Sequence, residues 1–143
     1  MPTLKSYNPA TGTVMGEVPI TNPGDIPEMV KKSRNAQPSW DQLGHHARNK
    51  LLVDAYRDIQ SQTERLASLI TREMGKPFRE GLIEAESLGS HLEEELREIE
   101  LAVVPETYRD EKSLSTVYRD PLGVCAAITP WNFPLSMPSW MVA

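Results

Sequence analysis

Residues 128–134 read Ile-Thr-Pro-Trp-Asn-Phe-Pro, and the residue in that run equipped for chemistry is Asn132. Its side-chain amide offers two N–H donors that carry no charge and do not titrate, which suits them to hold an oxygen that becomes negative during a reaction. The frame around it is stiff. A residue before proline is pushed out of the helical region, so Thr129 and Phe133 are biased to extended backbone, and Pro130 and Pro134 fix their own φ. The preceding Val124-Cys125-Ala126-Ala127-Ile128 is apolar throughout, as in a strand covered on both faces of a parallel sheet, and Leu135 to Ala143 reads as the first turns of an apolar helix. Asn132 would then lie at the C-terminal end of a buried strand, where open α/β sheets bind ligands. The local residues leave a second role open, an asparagine that hydrogen-bonds the backbone of its own turn.

The other residue types with chemical potential weigh less. Phe133, Met137 and Trp140 are spaced i, i+4 and i+7, so a helix begun at Pro134 puts them on nearly one face, for a ligand or for ordinary packing. Cys125 is the chain's one cysteine; among Val124, Ala126 and Ala127 it reads as a small hydrophobe, with no base or cation nearby to lower its pKa. His45, His46 and His91 are scattered, which argues against a metal site. The run Glu93-Glu94-Glu95 with Glu98 and Glu100 reads as a solvated helix face eased by a Glu93 to Arg97 pair. No glycine-rich phosphate loop of the Walker or dinucleotide type is present.

Composition narrows the partners. Acidic residues outnumber basic ones 20 to 15 over 143 residues, so no basic field draws nucleic acid or an anionic membrane surface. The apolar runs are too short to span a bilayer, and the start of the chain lacks a secretory signal pattern. A single cysteine excludes an internal disulfide and makes a reducing, cytoplasmic setting the default.

The elements that must position Asn132 follow from periodicity. Leu4 to Tyr7 and Val14 to Ile20 flank the turn Asn8-Pro9-Ala10-Thr11-Gly12, which predicts a small hairpin. Asp25 with Glu28 predicts a capping box opening a first helix, whose Ile26, Met29, Val30, Ser33, Gln37 and Trp40 share a face. A second helix is predicted from about Arg48. Ser61 with Glu64 repeats the capping pattern for a third, which carries Leu66, Leu69, Ile70 and Met74 and stops at Gly75. Pro77 opens a fourth and longest helix, with Leu82, Ala85, Gly89, Leu92, Leu96 and Ile99 in one stripe, closed by Pro105. Alternation at 114–119 predicts a strand, and Asp120-Pro121-Leu122-Gly123 a turn.

The run from Pro121 through Pro134, Pro-Leu-Gly-Val-Cys-Ala-Ala-Ile-Thr-Pro-Trp-Asn-Phe-Pro, closely resembles the aldehyde dehydrogenase superfamily. The resemblance extends over nearly the whole chain. Tyr7-Asn8-Pro9-Ala10-Thr11-Gly12 with Gly16-Glu17-Val18-Pro19 is similar to the family's opening hairpin, Trp40 stands where a helix ends, and Glu73-Met74-Gly75-Lys76-Pro77 resembles its E-x-G-K-P corner. It matches roughly the first third of such an enzyme, of which succinate-semialdehyde dehydrogenases are one kind.

The resemblance implies NAD(P)-dependent oxidation of a small aldehyde to an acid, by attack of a cysteine thiolate, hydride transfer to nicotinamide and release of the acyl group by water. It places Asn132 as the amide that stabilises the oxyanion. Ile128, Thr129, Pro130, Trp131 and Asn132 fall where the family contacts the ribose and nicotinamide end of the cofactor, and Phe133, Met137 and Trp140 where it lines the aldehyde tunnel. Ser136 and Pro138 depart from the bulkier aliphatic residues common there. The family's nucleophile and base lie downstream of Ala143, so Cys125 is not the nucleophile.

The fold class expected is therefore α/β, the N-terminal part of the aldehyde dehydrogenase fold, with a helical layer, a hairpin and the first parallel strand of a Rossmann-like cofactor domain. Residues 1–102 would be the hairpin and helices of the cofactor-binding domain. Residues 103–120 would form an oligomerisation hairpin segment, with 107–113 as its exposed turn, and 121–143 the first strand, the Asn loop and the start of a helix, without the catalytic domain. The parent would be a homo-oligomer, dimer or tetramer, in the cytoplasm, without metal, nucleic acid or membrane partners. The 143 residues alone are expected to be a fragment, inactive and poorly stable. The alternative is a truncated, non-catalytic helical interaction module.

Overall fold

The structure is a computed structural model and describes residues 2–142. β1 (Thr3–Tyr7) pairs antiparallel with β2 (Val14–Pro19), Leu4 opposite Val18 and Ser6 opposite Gly16, with an irregularity at Ser6 and Tyr7. The connecting turn closes on Asn8. Its carbonyl accepts from Gly12 N–H at 2.7 Å and its side-chain oxygen from Ala10 N–H at 2.9 Å, while Gly12 takes φ +70°. That side-chain bond is the Asx-type closure that makes asparagine a turn residue.

Five helices follow: α1 (Ile26–Gln42), α2 (Gly44–Gln60), α3 (Thr63–Met74), α4 (Phe78–Ser87) and α5 (Leu92–Ala102). The predicted caps move. Asn22 caps a short 3-10 turn ahead of α1 by accepting from Gly24 N–H, and the Asp25 side chain makes no capping bond. α2 starts four residues before Arg48, which places His45 and His46 in its first turn. The Ser61 hydroxyl donates backward to the Asp58 carbonyl at 2.7 Å rather than forward to α3. The shared face of α1 is largely solvent-exposed, with only Val30 and Gln37 half-buried.

The predicted longest helix is two. Residues 88–91 break it, with Gly89 at φ +69°. A Cβ on Gly89 would sit 2.6 Å from Tyr56 Cδ1, so the ring of Tyr56 in α2 packs directly on the backbone where the helix stops. Gln60 Nε2 donates to the freed Leu88 carbonyl at 2.6 Å. Tertiary packing has overridden a continuous apolar stripe: Leu88, Leu92 and Leu96 still reach one core with Tyr56, joined by Leu52, Val53, Ile59 and Leu135. Each such side chain contributes about 1.5–3 kcal/mol on burial. A second contact joins α3 to α4 through buried Ala67, Ile70, Gly81 and Ala85, where a Cβ on Gly81 would come 3.1 Å from the Ala67 carbonyl oxygen. Glu93 pairs with Arg57 of α2 at 2.9 Å and not with Arg97.

β3 (Glu106–Arg109) and β4 (Leu114–Val117) form an antiparallel hairpin, Thr107 opposite Thr116, so the strands take residues 107–109 that were expected in the turn. Asp110 closes the turn itself, accepting from the N–H groups of Lys112 and Ser113 at 2.7 Å each. Residues 124–128 then run without strand pairing, and Cys125 is exposed rather than buried in a sheet. A strand hydrophobic on both sides needs neighbours on both edges and layers on both faces; among the described residues, the two sheets present are the separate hairpins. α6 (Ser136–Val142) ends the described chain.

Candidate active site

The corner between α3 and α4 builds the support beneath Asn132. Gly75 caps α3 at φ +77°, its N–H bonded to the Thr71 carbonyl at 3.0 Å, and a Cβ there would meet Pro9 Cγ of the first hairpin at 3.0 Å. The left-handed Gly75 ends α3, and Lys76 follows it at the corner. On α4, Gly81, Glu84 and Ala85 occupy i, i+3 and i+4, so the helical period carries Glu84 onto the buried face.

Lys76 Nζ lies 2.5 Å from Glu84 Oε2, with the two side chains 11% and 2% exposed. The same ammonium donates to the Asn132 carbonyl at 3.0 Å and stands 4.1 Å from the centroid of the Phe133 ring. The other carboxylate oxygen of Glu84 accepts from the N–H groups of Leu135 and Ser136, at 3.0 and 3.2 Å, where the chain enters α6. Burial by itself raises the pKa of Glu84, but the Lys76 bond and the two backbone donors together outweigh it and hold the carboxyl below its ordinary value.

A depressed pKa in the folded state means that Glu84 contributes stability above the ordinary glutamate range and loses it as pH falls through the lowered value. Amide exchange at Leu135 and Ser136 is therefore expected to be pH-corrected constant from neutral pH down to about 5, and to accelerate below about 4. Glu84→Gln should abolish that acid step; protection that declines identically in both proteins would show that Glu84 does not hold this segment.

Asn132 itself is exposed, and among the described residues its side-chain amide has no hydrogen-bond partner; only its main-chain carbonyl is engaged. The residues flanking it diverge. Trp131 borders a cavity of about 370 Å³ against α3, whereas Phe133, Met137 and Trp140 line a different one of about 530 Å³ against α4, together with Ile83. The face expected of Phe133, Met137 and Trp140 thus opens on a common space, with Lys76 and Glu84 in its wall. Ile128 and Trp131 are 87% and 78% exposed, Pro130 is exposed and Thr129 half-buried. No main-chain hydrogen bond of residues 124–131 occurs among the described residues. Tyr56 Oη fixes α6 from the other side by donating to the Ser139 carbonyl at 2.8 Å.

Glu84 is the site residue that motif reading misses. Its signal is a carboxylate between the buried Gly81 and Ala85 of α4, which stands out only when each helix is checked for polar residues on its buried face. Among the described residues, no group of three or more His, Cys, Asp or Glu side chains is arranged to hold a metal ion, and no helix is long and apolar enough to cross a membrane.

Residues 2–143 match the model of the aldehyde dehydrogenase family. The chain belongs to that family. It is 36% identical over 138 residues to the mitochondrial succinate-semialdehyde dehydrogenase of Oryza sativa subsp. japonica, covering 94% of this chain and 26% of that protein. Over 134 residues it is 35% identical to a probable succinate-semialdehyde dehydrogenase [NADP(+)] of Sinorhizobium fredii, covering 92% and 27%. The crystal structure of an aldehyde dehydrogenase from Brucella melitensis biovar abortus 2308 superposes with a TM-score of 0.88 at 34% identity, covering 96% of this chain and 29% of that one. The chain thus spans about a quarter of the length of these curated relatives. Its architecture is the N-terminal part of the α/β aldehyde dehydrogenase fold.

Proposed function

We propose that the polypeptide carrying this segment oxidises a small aldehyde to the carboxylic acid with NAD or NADP as hydride acceptor, and that Asn132 donates to the oxyanion. The observation that carries the reading is the Asn132 side-chain amide, exposed and unbonded on a loop whose main chain is held from below by Lys76. An asparagine that served only its own turn would spend its amide on nearby backbone, as Asn8 does.

The chemistry needs a nucleophile from elsewhere in the family fold, a cysteine thiolate that adds to the aldehyde carbon while the C=O electron pair moves onto oxygen. The Asn132 N–H groups would receive that oxygen. Bound nicotinamide would supply the hydride acceptor, and water would then hydrolyse the thioester to the acid and return the thiol. Ile128, Thr129, Pro130, Trp131 and Asn132 would border the ribose and nicotinamide end of the cofactor; the bare apolar surface of Ile128 and Trp131 fits such an edge, and the NADP(+) in the Sinorhizobium relative's name supports the cofactor class. Phe133, Met137 and Trp140 would line the aldehyde's path. The names of both curated relatives make a semialdehyde the first substrate to try.

Homo-oligomer formation and a cytoplasmic location belong to the same proposal. The β3 and β4 hairpin presents exposed Tyr108, Leu114 and Val117, suited to pairing with a second copy, and the lone Cys125 thiol suits a reducing compartment. The deciding assay is NAD+ and NADP+ reduction by that polypeptide with succinic semialdehyde and butanal. Aldehyde-dependent formation of the reduced cofactor is expected; none with any aldehyde and either cofactor overturns the reading.

A further inference from the structure

The prolines stiffen the Asn132 loop but do not set where it points, because nothing in a proline ring ties the loop to the body of the protein. That tie comes from two charged side chains. Lys76 Nζ reaches the Asn132 carbonyl at 3.0 Å and the Phe133 ring at 4.1 Å, and Glu84 takes the Leu135 and Ser136 N–H groups at 3.0 and 3.2 Å. The Lys76 to Glu84 bond of 2.5 Å couples the two attachments. The main chain is therefore gripped at 132, beside the Phe133 ring, and again at 135 and 136, around a side-chain amide left free.

Charge makes the grip directional. An ammonium has three donors and no acceptor, so Lys76 serves the Glu84 carboxylate and the Asn132 carbonyl at once, while the carboxylate uses separate oxygens for Lys76 and for the two amides. Neither group is exposed enough for water to replace these partners at low cost.

We propose that the Lys76 and Glu84 ion pair is a positioning device that fixes the direction of the Asn132 amide, so that it acts on the reaction through Asn132. The inference rests on the oxyanion role given to Asn132 above. Misplacing a reacting group by about 1 Å can cost on the order of a hundredfold in rate.

A double-mutant cycle in the full polypeptide tests it, with Lys76→Met, Asn132→Ala and the double variant compared in kcat and in KM for aldehyde and cofactor. Lys76→Met is expected to lower kcat by about tenfold or more with both KM values changed by less than about threefold, yet to cost less than about twofold in the Asn132→Ala background. Equal losses in the two backgrounds overturn the positioning role and leave the oxyanion role standing. Normal turnover by Asn132→Ala instead overturns the oxyanion role and the positioning role with it. Should Lys76→Met fail to fold, Glu84→Gln, which keeps shape and one acceptor oxygen, runs the same cycle with the same expected non-additivity.

Discussion

Asn132→Ala in the polypeptide carrying this segment is expected to lower kcat/KM for aldehyde oxidation by about 10²–10³-fold, roughly 3–4 kcal/mol of lost transition-state stabilisation. The size follows from when the donor is needed. A ground-state aldehyde oxygen carries only a partial charge, whereas the tetrahedral adduct carries a full one, so an amide aimed at it contributes chiefly in the transition state. Truncation removes both N–H donors and leaves the main-chain bond to Lys76 untouched, because Lys76 holds the Asn132 carbonyl and not its side chain. Loss of activity with an unchanged thermal midpoint is the expected signature. Steady-state kinetics with succinic semialdehyde, beside thermal unfolding, measures both.

Glu84→Ala is expected to have the largest effect on stability, lowering the unfolding free energy by about 3–5 kcal/mol. The substitution strands the Lys76 ammonium, whose side chain is 11% exposed, beside an apolar cavity wall, and orphans the N–H groups of Leu135 and Ser136. An unpaired buried charge costs far more than the pair is worth against a hydrophobic replacement, so the loss measures disruption of the cluster. Arg57 and Glu93 supply the control. They lie as close as 2.9 Å, but their side chains are 64% and 70% exposed, and Glu93→Ala is expected to cost no more than about 1 kcal/mol. Urea unfolding of the full polypeptide and its two variants reads the difference; comparable losses would mean that Glu84 is not gripping the loop.

Local rules made part of this architecture legible. Asn8 and Gly12 announce the first hairpin, and Gly75 stops α3 in the left-handed conformation that a bare glycine invites. Both are settled within a few residues. The break at Gly89 is not: it depends on Tyr56, more than thirty residues earlier in the chain, whose ring occupies the space a side chain would need. Periodicity alone runs the apolar stripe straight through from Leu82 to Ile99, since Leu88, Leu92 and Leu96 reach one core on both sides of the break. Residues 124–128 mislead in the opposite way, because their composition fits a two-sided sheet while the described residues supply no strand to pair with them.

At the site, stiffness was readable and aim was not. Thr129, Pro130, Phe133 and Pro134 restrict φ and ψ by local sterics, and the spacing of Phe133, Met137 and Trp140 predicts a shared face, though not the cavity they line. The support from Lys76 and Glu84 crosses more than fifty residues of chain, and no motif spans that distance. A carboxylate in the buried stripe of α4 was its one trace, legible as an oddity but not as a partner for the backbone of α6.

The most direct measurement is the single-turnover rate of reduced-cofactor formation at 340 nm, for the wild-type polypeptide and for Asn132→Ala at saturating aldehyde and cofactor. An oxyanion donor acts at or before hydride transfer, so the first-turnover rate is expected to fall about a hundredfold or more with cofactor affinity unchanged. A first turnover as fast as wild type, with any loss confined to later steps, would contradict the role of Asn132.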